Sequence, residues 1–236
     1  MPLGQAEYDE AYYAANGQGG DRPALRYYAR LVSRYLEPTR VLDVGCGTGH
    51  LLARLSRSRP ADGFEISAYS AEVARSTSPG SQVFVSASSL PAATYDAITA
   101  VHVFEHIPDE ALVQLLQELR RASTPSARIL MVVPDPAGRA AALHGEKWNG
   151  WTDPTHVNLK SHDEWRAFLE LNGLTVRDEG SDGLWNFPYS ALPVPLDAVR
   201  HGLPMAVQYL SGRMILKPGV GESSFFILGW AEPAAR

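Results

Sequence analysis

The sequence predicts an α/β fold: a mainly parallel sheet, doubly wound, with helices on both faces. Short apolar runs of strand length alternate with stretches whose apolar residues recur at helical spacing. Three glycines at alternate positions, Gly45, Gly47 and Gly49, also mark a strand-to-helix turn. With 236 residues, 45% hydrophobic and 20% charged, the chain suits a single domain with a sizeable core. A net charge of −5 without a dense Lys/Arg stripe argues against a nucleic-acid partner. No apolar run approaches a membrane span, residues 1–20 lack a signal-peptide apolar core, and a lone cysteine, Cys46, excludes an internal disulfide. A cytoplasmic protein without membrane contacts is the expectation.

Residues 1–22 are polar, with Tyr8, Tyr12 and Tyr13 among small residues, and read as a lid-like opening segment. Pro23 can open a helix to about Tyr35 that carries Leu25, Tyr28, Val32 and Leu36 on one face. Val41, Leu42 and Val44 make a buried strand, and Leu51, Leu52 and Leu55 fall at helical spacing behind it. Strands follow at 61–66, 81–86, 95–101 and 127–133, with helices at 68–76 and 110–122 between them. Asp109 reads as the N-cap of the second of these helices. Ser161 and Glu164 form a capping box for a helix ending near Gly173. Strands at 174–180 and 223–232 can pair antiparallel at the sheet edge. The Pro-rich stretch 184–221 between them, with Trp185, Phe187 and Tyr189, is long for a plain connection and reads as a substrate cap or dimer contact.

The glycine turn needs backbone angles that only residues without a Cβ adopt freely, and it opens the main chain to a ligand. A dinucleotide fingerprint would place glycine at position 50, where this chain has His50; that counts against NAD or FAD. Glu65, 22 residues after Asp43, stands where an acid accepts hydrogen bonds from ribose hydroxyls.

"VLDVGCGTG", the acid in "GFEIS", "YDAITAVHVFEHI" and "ARILMVVPD" together resemble the class I S-adenosylmethionine-dependent methyltransferases over about residues 38–180. The resemblance implies a Rossmann-like sheet of seven strands, the last antiparallel, with S-adenosyl-L-methionine over the carboxyl ends of the strands. It implies that Gly45, Cys46 and Gly47 line the methionine part, that Gly49 belongs to the same cofactor-binding turn, and that Asp43 fixes the turn and reaches the amino group. Glu65 would hold the ribose, and Ile66 would pack on the adenine. Ser86, Ala87 and Ser88 stand where many relatives carry an acid for the adenine amino group, His102 would touch the methionine, and Tyr13 would reach the cofactor from the opening segment.

"HVFEH", residues 102–106, also matches the H-x-x-E-H arrangement of inverted zinc peptidases. That chemistry needs both histidines on one helical face and a third ligand, whereas here the motif follows a strand and precedes Pro108. No metal is therefore expected, and the resemblance places Glu105 and His106 beside the methyl group instead. Asp153 and His156, three apart, could meet as orienting acid and general base. Equally, Asp153 could cap its turn and His156 bond a backbone carbonyl. His144, His162 and His201 read as surface residues. The expected function is methylation of a small-molecule acceptor, foremost a hydroxyl of a sugar or secondary metabolite, with His106 or His156 taking the proton. An amine acceptor, a non-catalytic cofactor-binding subunit of a larger assembly, and a nucleotide-sugar or NAD enzyme are the alternatives. The insert also allows a homodimer.

Overall fold

Alternation along each strand decides which helix layer a residue meets. The computed structural model describes residues 20–184, 190 and 193–232. The expectations for Tyr8, Tyr12 and Tyr13 and for Trp185, Phe187 and Tyr189 lie outside the described residues. Helix α1 (Pro23–Leu31) starts on a proline, which loses nothing by lacking an N–H in the first turn, and widens into a π-type turn at Val32–Leu36. Then follow β1 (Val41–Val44), α2 (His50–Leu55), β2 (Ala61–Phe64), α3 (Ala68–Thr77), β3 (Val83–Phe84), β4 (Tyr95–Val101), α4 (Asp109–Ala122) and β5 (Ser123–Pro134). After β5 come two short helices, α5 (Arg139–His144) and α6 (Asn149–Thr152), then α7 (His162–Leu171) and β6 (Leu174–Ser181). The insert contributes α8 (Val194–Asp197), a π-type turn and α9 (Leu203–Ser211) before β7 (Ser223–Trp230).

The seven strands form one sheet in the order β3-β2-β1-β4-β5-β7-β6. The first five are mutually parallel, and β7 runs antiparallel to both β5 and β6, as expected for the edge pair. Leu42, Val44, Ile98, Ile129, Met131 and Phe226 point to one face, under Leu112, Leu116 and Leu119 of α4 and Trp165 of α7. Val41, Ala97, Leu130 and Phe225 point to the other, under Leu31 of α1, Leu52 of α2 and Ala74 of α3. Fully burying a Leu or Phe side chain contributes about 1.5–3 kcal/mol, so these two layers supply the main driving force.

Three local expectations change. The run 81–86 shortens to the two-residue β3, because this outer strand has one neighbour and Gln82, Val85 and Ser86 are exposed. Pro108 takes the N-cap position of α4, and Asp109 is its first residue; the Asp109 carboxylate instead accepts from Asn158 Nδ2 (2.8 Å) and Lys160 Nζ (2.7 Å). His162 is buried, not superficial: its ring stacks on Phe226 and bridges Ser224 Oγ (2.9 Å) and Glu179 Oε2 (3.0 Å). The capping box at Ser161 and Glu164 forms as read. The described part of the insert is anchored on α1, where Tyr209 stacks on Tyr27 at 5.9 Å, and on the end of β6, where Gln208 donates to Ser181 O while accepting from the N–H groups of Ile215 and Leu216.

Candidate functional site

A cavity of about 600 Å³ opens beyond the carboxyl ends of β1, β2 and β4, where the strand order reverses direction. This is the expected ligand position in an open α/β sheet. The glycine turn forms its floor: Gly45 (φ +61°) and Gly47 (φ +53°) adopt left-handed angles that branched residues disfavour. Three N–H groups of the turn are already bonded within the protein. The N–H groups of Gly45 and Cys46 are tied to Phe64 O, and that of Gly47 donates to Glu65 Oε2 at 2.9 Å. The turn therefore fixes an acid in place and offers few donors to an anion such as a dinucleotide pyrophosphate.

Glu65, directly after β2, is buried, and its Oε1 accepts from Ser67 N at 2.8 Å. Burial pushes its pKa up, against the pull of the N–H groups of Ser67 and Gly47. Each carboxylate oxygen keeps a second lone pair, enough to accept from two neighbouring hydroxyls. Glu65→Ala should weaken cofactor binding by about 1–3 kcal/mol in calorimetry; wild-type affinity would remove Glu65 from the site. Ile66, 40% exposed, lines the mouth beside it.

Asp43 pairs with Thr99 across β1 and β4, and the Thr99 hydroxyl donates to Asp43 Oδ1 at 2.5 Å. Its Oδ2 is buried without a hydrogen bond, in the cavity wall. Burial, opposed by Thr99 and reinforced by the Glu65 charge, pushes the Asp43 pKa up to about 7. A buried acid in the cavity wall, with only Thr99 and the Leu52 N–H to favour its charge, fits a positive group of S-adenosylmethionine, and the Glu65 carboxylate fits a ribose diol. Cys46 lines the cavity with its thiol pushed well above the usual range, chiefly by burial, so it acts as a small filler.

His102 ends β4 in a left-handed conformation (φ +56°), unusual for a residue with a side chain, and lines the cavity. Val103 leans over the turn, 2.5 Å from where a Cβ on Gly45 would lie. Thr48, His50, Arg22 and Leu25 also line the cavity, and no sequence spacing pointed to them.

Other residues named from sequence fall elsewhere. Gly49 lies outside the cavity lining: a Cβ there would stand 2.8 Å from Ala74 Cα, so this glycine lets α2 and α3 approach. Ser86, Ala87 and Ser88 form a short turn after β3 outside the lining, and the two exposed serine hydroxyls bond each other at 2.9 Å. Ile66, Ile107 and Leu115 give the cavity an apolar wall.

Two segments distant in sequence meet at the inner end. Asn158 N donates to Glu105 O and Asn158 Nδ2 to Ile107 O, which stitches "THVN" to "FEHI". His106 lines the cavity, and its ring centroid is 4.7 Å from that of His156 behind it. His106 Nδ1 lies 3.2 Å from Thr155 O and 2.9 Å from Thr155 Oγ1, while that hydroxyl donates to Asp153 Oδ1 at 2.5 Å. His156 Nδ1 lies 2.8 Å from Gly150 O, and its Nε2 is 3.9 Å from Asp153 Oδ2. Asp153 thus caps its own turn, acts through Thr155 on His106, and only approaches His156. Burial lowers the His106 pKa, opposed by Glu105. Glu105 is fully buried; burial raises its pKa, but His102 and His106 outweigh it and hold the carboxyl below its ordinary range.

The profile of a family described as methyltransferase domain matches residues 19–179. No curated protein matches the chain. Among solved structures, a SAM-dependent methyltransferase from Archaeoglobus fulgidus is 20% identical with a TM-score of 0.59, over 93% of this chain and 99% of that one. The plantazolicin methyltransferase BpumL in complex with SAH is 17% identical with a TM-score of 0.65, over 97% and 94%. The mitomycin 7-O-methyltransferase MmcR is 18% identical with a TM-score of 0.62, over 94% of this chain and 57% of that one.

Proposed function

The chain belongs to the methyltransferase domain family and is an S-adenosylmethionine-dependent methyltransferase; we propose that its acceptor is a small molecule methylated on a hydroxyl oxygen. Bound over the glycine turn, the cofactor supplies an electrophilic methyl group on a sulfonium. The chain's own residues do the rest. Glu65 and Asp43 fix the cofactor, and the cavity they line aligns an acceptor with the methyl. Such positioning supplies roughly 7–11 kcal/mol of barrier lowering.

One observation favours a hydroxyl over an amine: His106 lines the cavity and is itself backed by His156 and Glu105. A neutral amine is already nucleophilic and needs no such group, whereas a hydroxyl must lose a proton. That chemistry would also suit a kinship in acceptor type with MmcR, whose name specifies O-methylation. The cavity volume lies within the range of small-molecule sites. The insert over 184–221 would then cap the acceptor. A mass-spectrometric screen of hydroxyl and amine acceptors with the cofactor tests this. We expect one added methyl group on a hydroxyl compound, and His106→Ala should lower that turnover about 10²–10⁴-fold without changing affinity for S-adenosylhomocysteine. Methylation of amines alone, at a rate His106→Ala leaves unchanged, would overturn the reading.

A further inference from the structure

We propose that the outer side of the insert is a docking surface for an anionic phospholipid bilayer. From Val194 to Ser211, α8, the π-type turn and α9 run as one helical stretch. A surface helix ordinarily turns its apolar stripe to the core and its polar side to water. Here the sides are exchanged. Asp197 and Gln208 are buried: Asp197 accepts from Ser190 Oγ at 2.6 Å, and Gln208 holds the chain at Ser181, Ile215 and Leu216. Val194, Leu196, Val199, Leu203, Val207 and Leu210 instead stand between 47% and 73% exposed. From Leu196 onward these residues recur at spacings of three and four, so each has the next beside it along the helix. Single exposed leucines are ordinary, but a row of them on one helix marks a surface that meets something.

Charge decides what it meets. From 193 to 217 the chain has one acid, the fully buried Asp197, against the exposed bases Arg200, Arg213 and Lys217. Arg30 and Arg34 reach the C-terminal end of α9, where they donate to the carbonyls of Tyr209, Leu210 and Ser211. Those partners are neutral, so both guanidiniums keep their charge beside Leu210, and Glu37 in the same groove offsets only one of them. In a chain of net charge −5 this is a local reversal of sign. A second copy of the chain would bring the same apolar row but, over this stretch, no exposed carboxylate for the bases. A bilayer surface supplies both halves: acyl chains for the leucines and valines, and phosphates for the guanidiniums around them. Long arginine side chains reach the headgroups while the apolar row sits below them. The sequence expectation of no membrane contact rested on the lack of a spanning segment, and a helix lying in the interface needs none.

The test sediments the full-length protein with vesicles of phosphatidylcholine alone and of phosphatidylcholine mixed with phosphatidylglycerol. We expect binding to the mixed vesicles only, weakened by added salt. Leu203→Glu and Leu210→Glu should each lower the partition coefficient at least about tenfold, and Arg200→Gln, Arg213→Gln and Lys217→Gln by about fivefold each. All five positions are exposed, so S-adenosylhomocysteine affinity and Tm should match wild type; a variant that fails this check is replaced by Val199→Ser. No binding to the mixed vesicles, or binding that these variants leave unchanged, would overturn the proposal. A dimer in light scattering that Leu210→Glu returns to monomer would overturn it too, since a second copy then covers the face. The identity of the methyl acceptor does not bear on any of these outcomes.

Discussion

Gly47→Val should abolish measurable binding of S-adenosylhomocysteine while leaving the chain folded. Gly47 sits at φ +53°, where a β-branched side chain is a strong outlier; strain of this kind costs about 1–3 kcal/mol. The chain escapes the strain by rotating the peptide, and that rotation moves the N–H that holds Glu65 Oε2 at 2.9 Å. Valine also adds bulk to a turn that lines the cavity. Strain, a displaced ribose acceptor and lost space all act against the ligand, so a weakening beyond about 100-fold, or roughly 2.7 kcal/mol, is expected in calorimetry. Gly47→Ala carries the strain with little bulk and should fall between valine and wild type. The far-ultraviolet circular dichroism of both should match wild type, because the core layers lie beneath the turn. Undiminished affinity in the valine variant would mean that the ligand does not rest on this turn.

The elements that periodicity made legible are those whose burial follows a clear pattern. Val41 through Val44 is buried at every position, and Leu112, Leu116 and Leu119 repeat at helical spacing, so neither had an alternative reading. At β3 the signal weakened because an outer strand buries little, and "SQVFVS" promised more pairing than one neighbour supplies. The turn and Glu65 were legible because a glycine pattern and an acid at fixed spacing each have a backbone reason. The role of Gly49 was not, since spacing cannot distinguish a glycine that meets a ligand from one that meets Ala74 of a neighbouring helix. Nor could spacing reveal that Thr155 links Asp153 to His106, because the pair His106 and Thr155 is 49 residues apart. His162 was misread for the same reason: its partners Glu179 and Ser224 arrive from two later strands.

Asp43 makes the empty protein lose stability as pH rises from about 4 to about 7. The carboxyl has its ordinary value of 3.8 when unfolded and about 7 when folded, chiefly through burial. Between those values the folded chain holds a proton that the unfolded chain releases. The contribution is thus fully present below about pH 4, declines as pH rises through the folded pKa, and is gone above it. Its slope approaches roughly 1.4 kcal/mol per pH unit in the middle of the window. Glu65 shifts in the same direction, and His106, Glu105 and other groups shift as well, so thermal unfolding of wild type alone would blend several titrations. Asp43→Asn separates them: it keeps the side-chain shape near Thr99, removes this titration, and should flatten the dependence of Tm on pH. Ligand binding has the opposite sign. A ligand ammonium beside Asp43 favours the carboxylate, so affinity for S-adenosylmethionine should rise up to about tenfold per pH unit toward pH 7 and then level. S-adenosylhomocysteine carries the same amino group and should show a similar slope. Calorimetry in two buffers of different ionisation enthalpy should register proton release on binding near pH 6 in wild type and less in Asp43→Asn. Equal slopes and equal proton release in the two proteins would mean that Asp43 is ionised in the empty site already, and that its buried Oδ2 has found a donor.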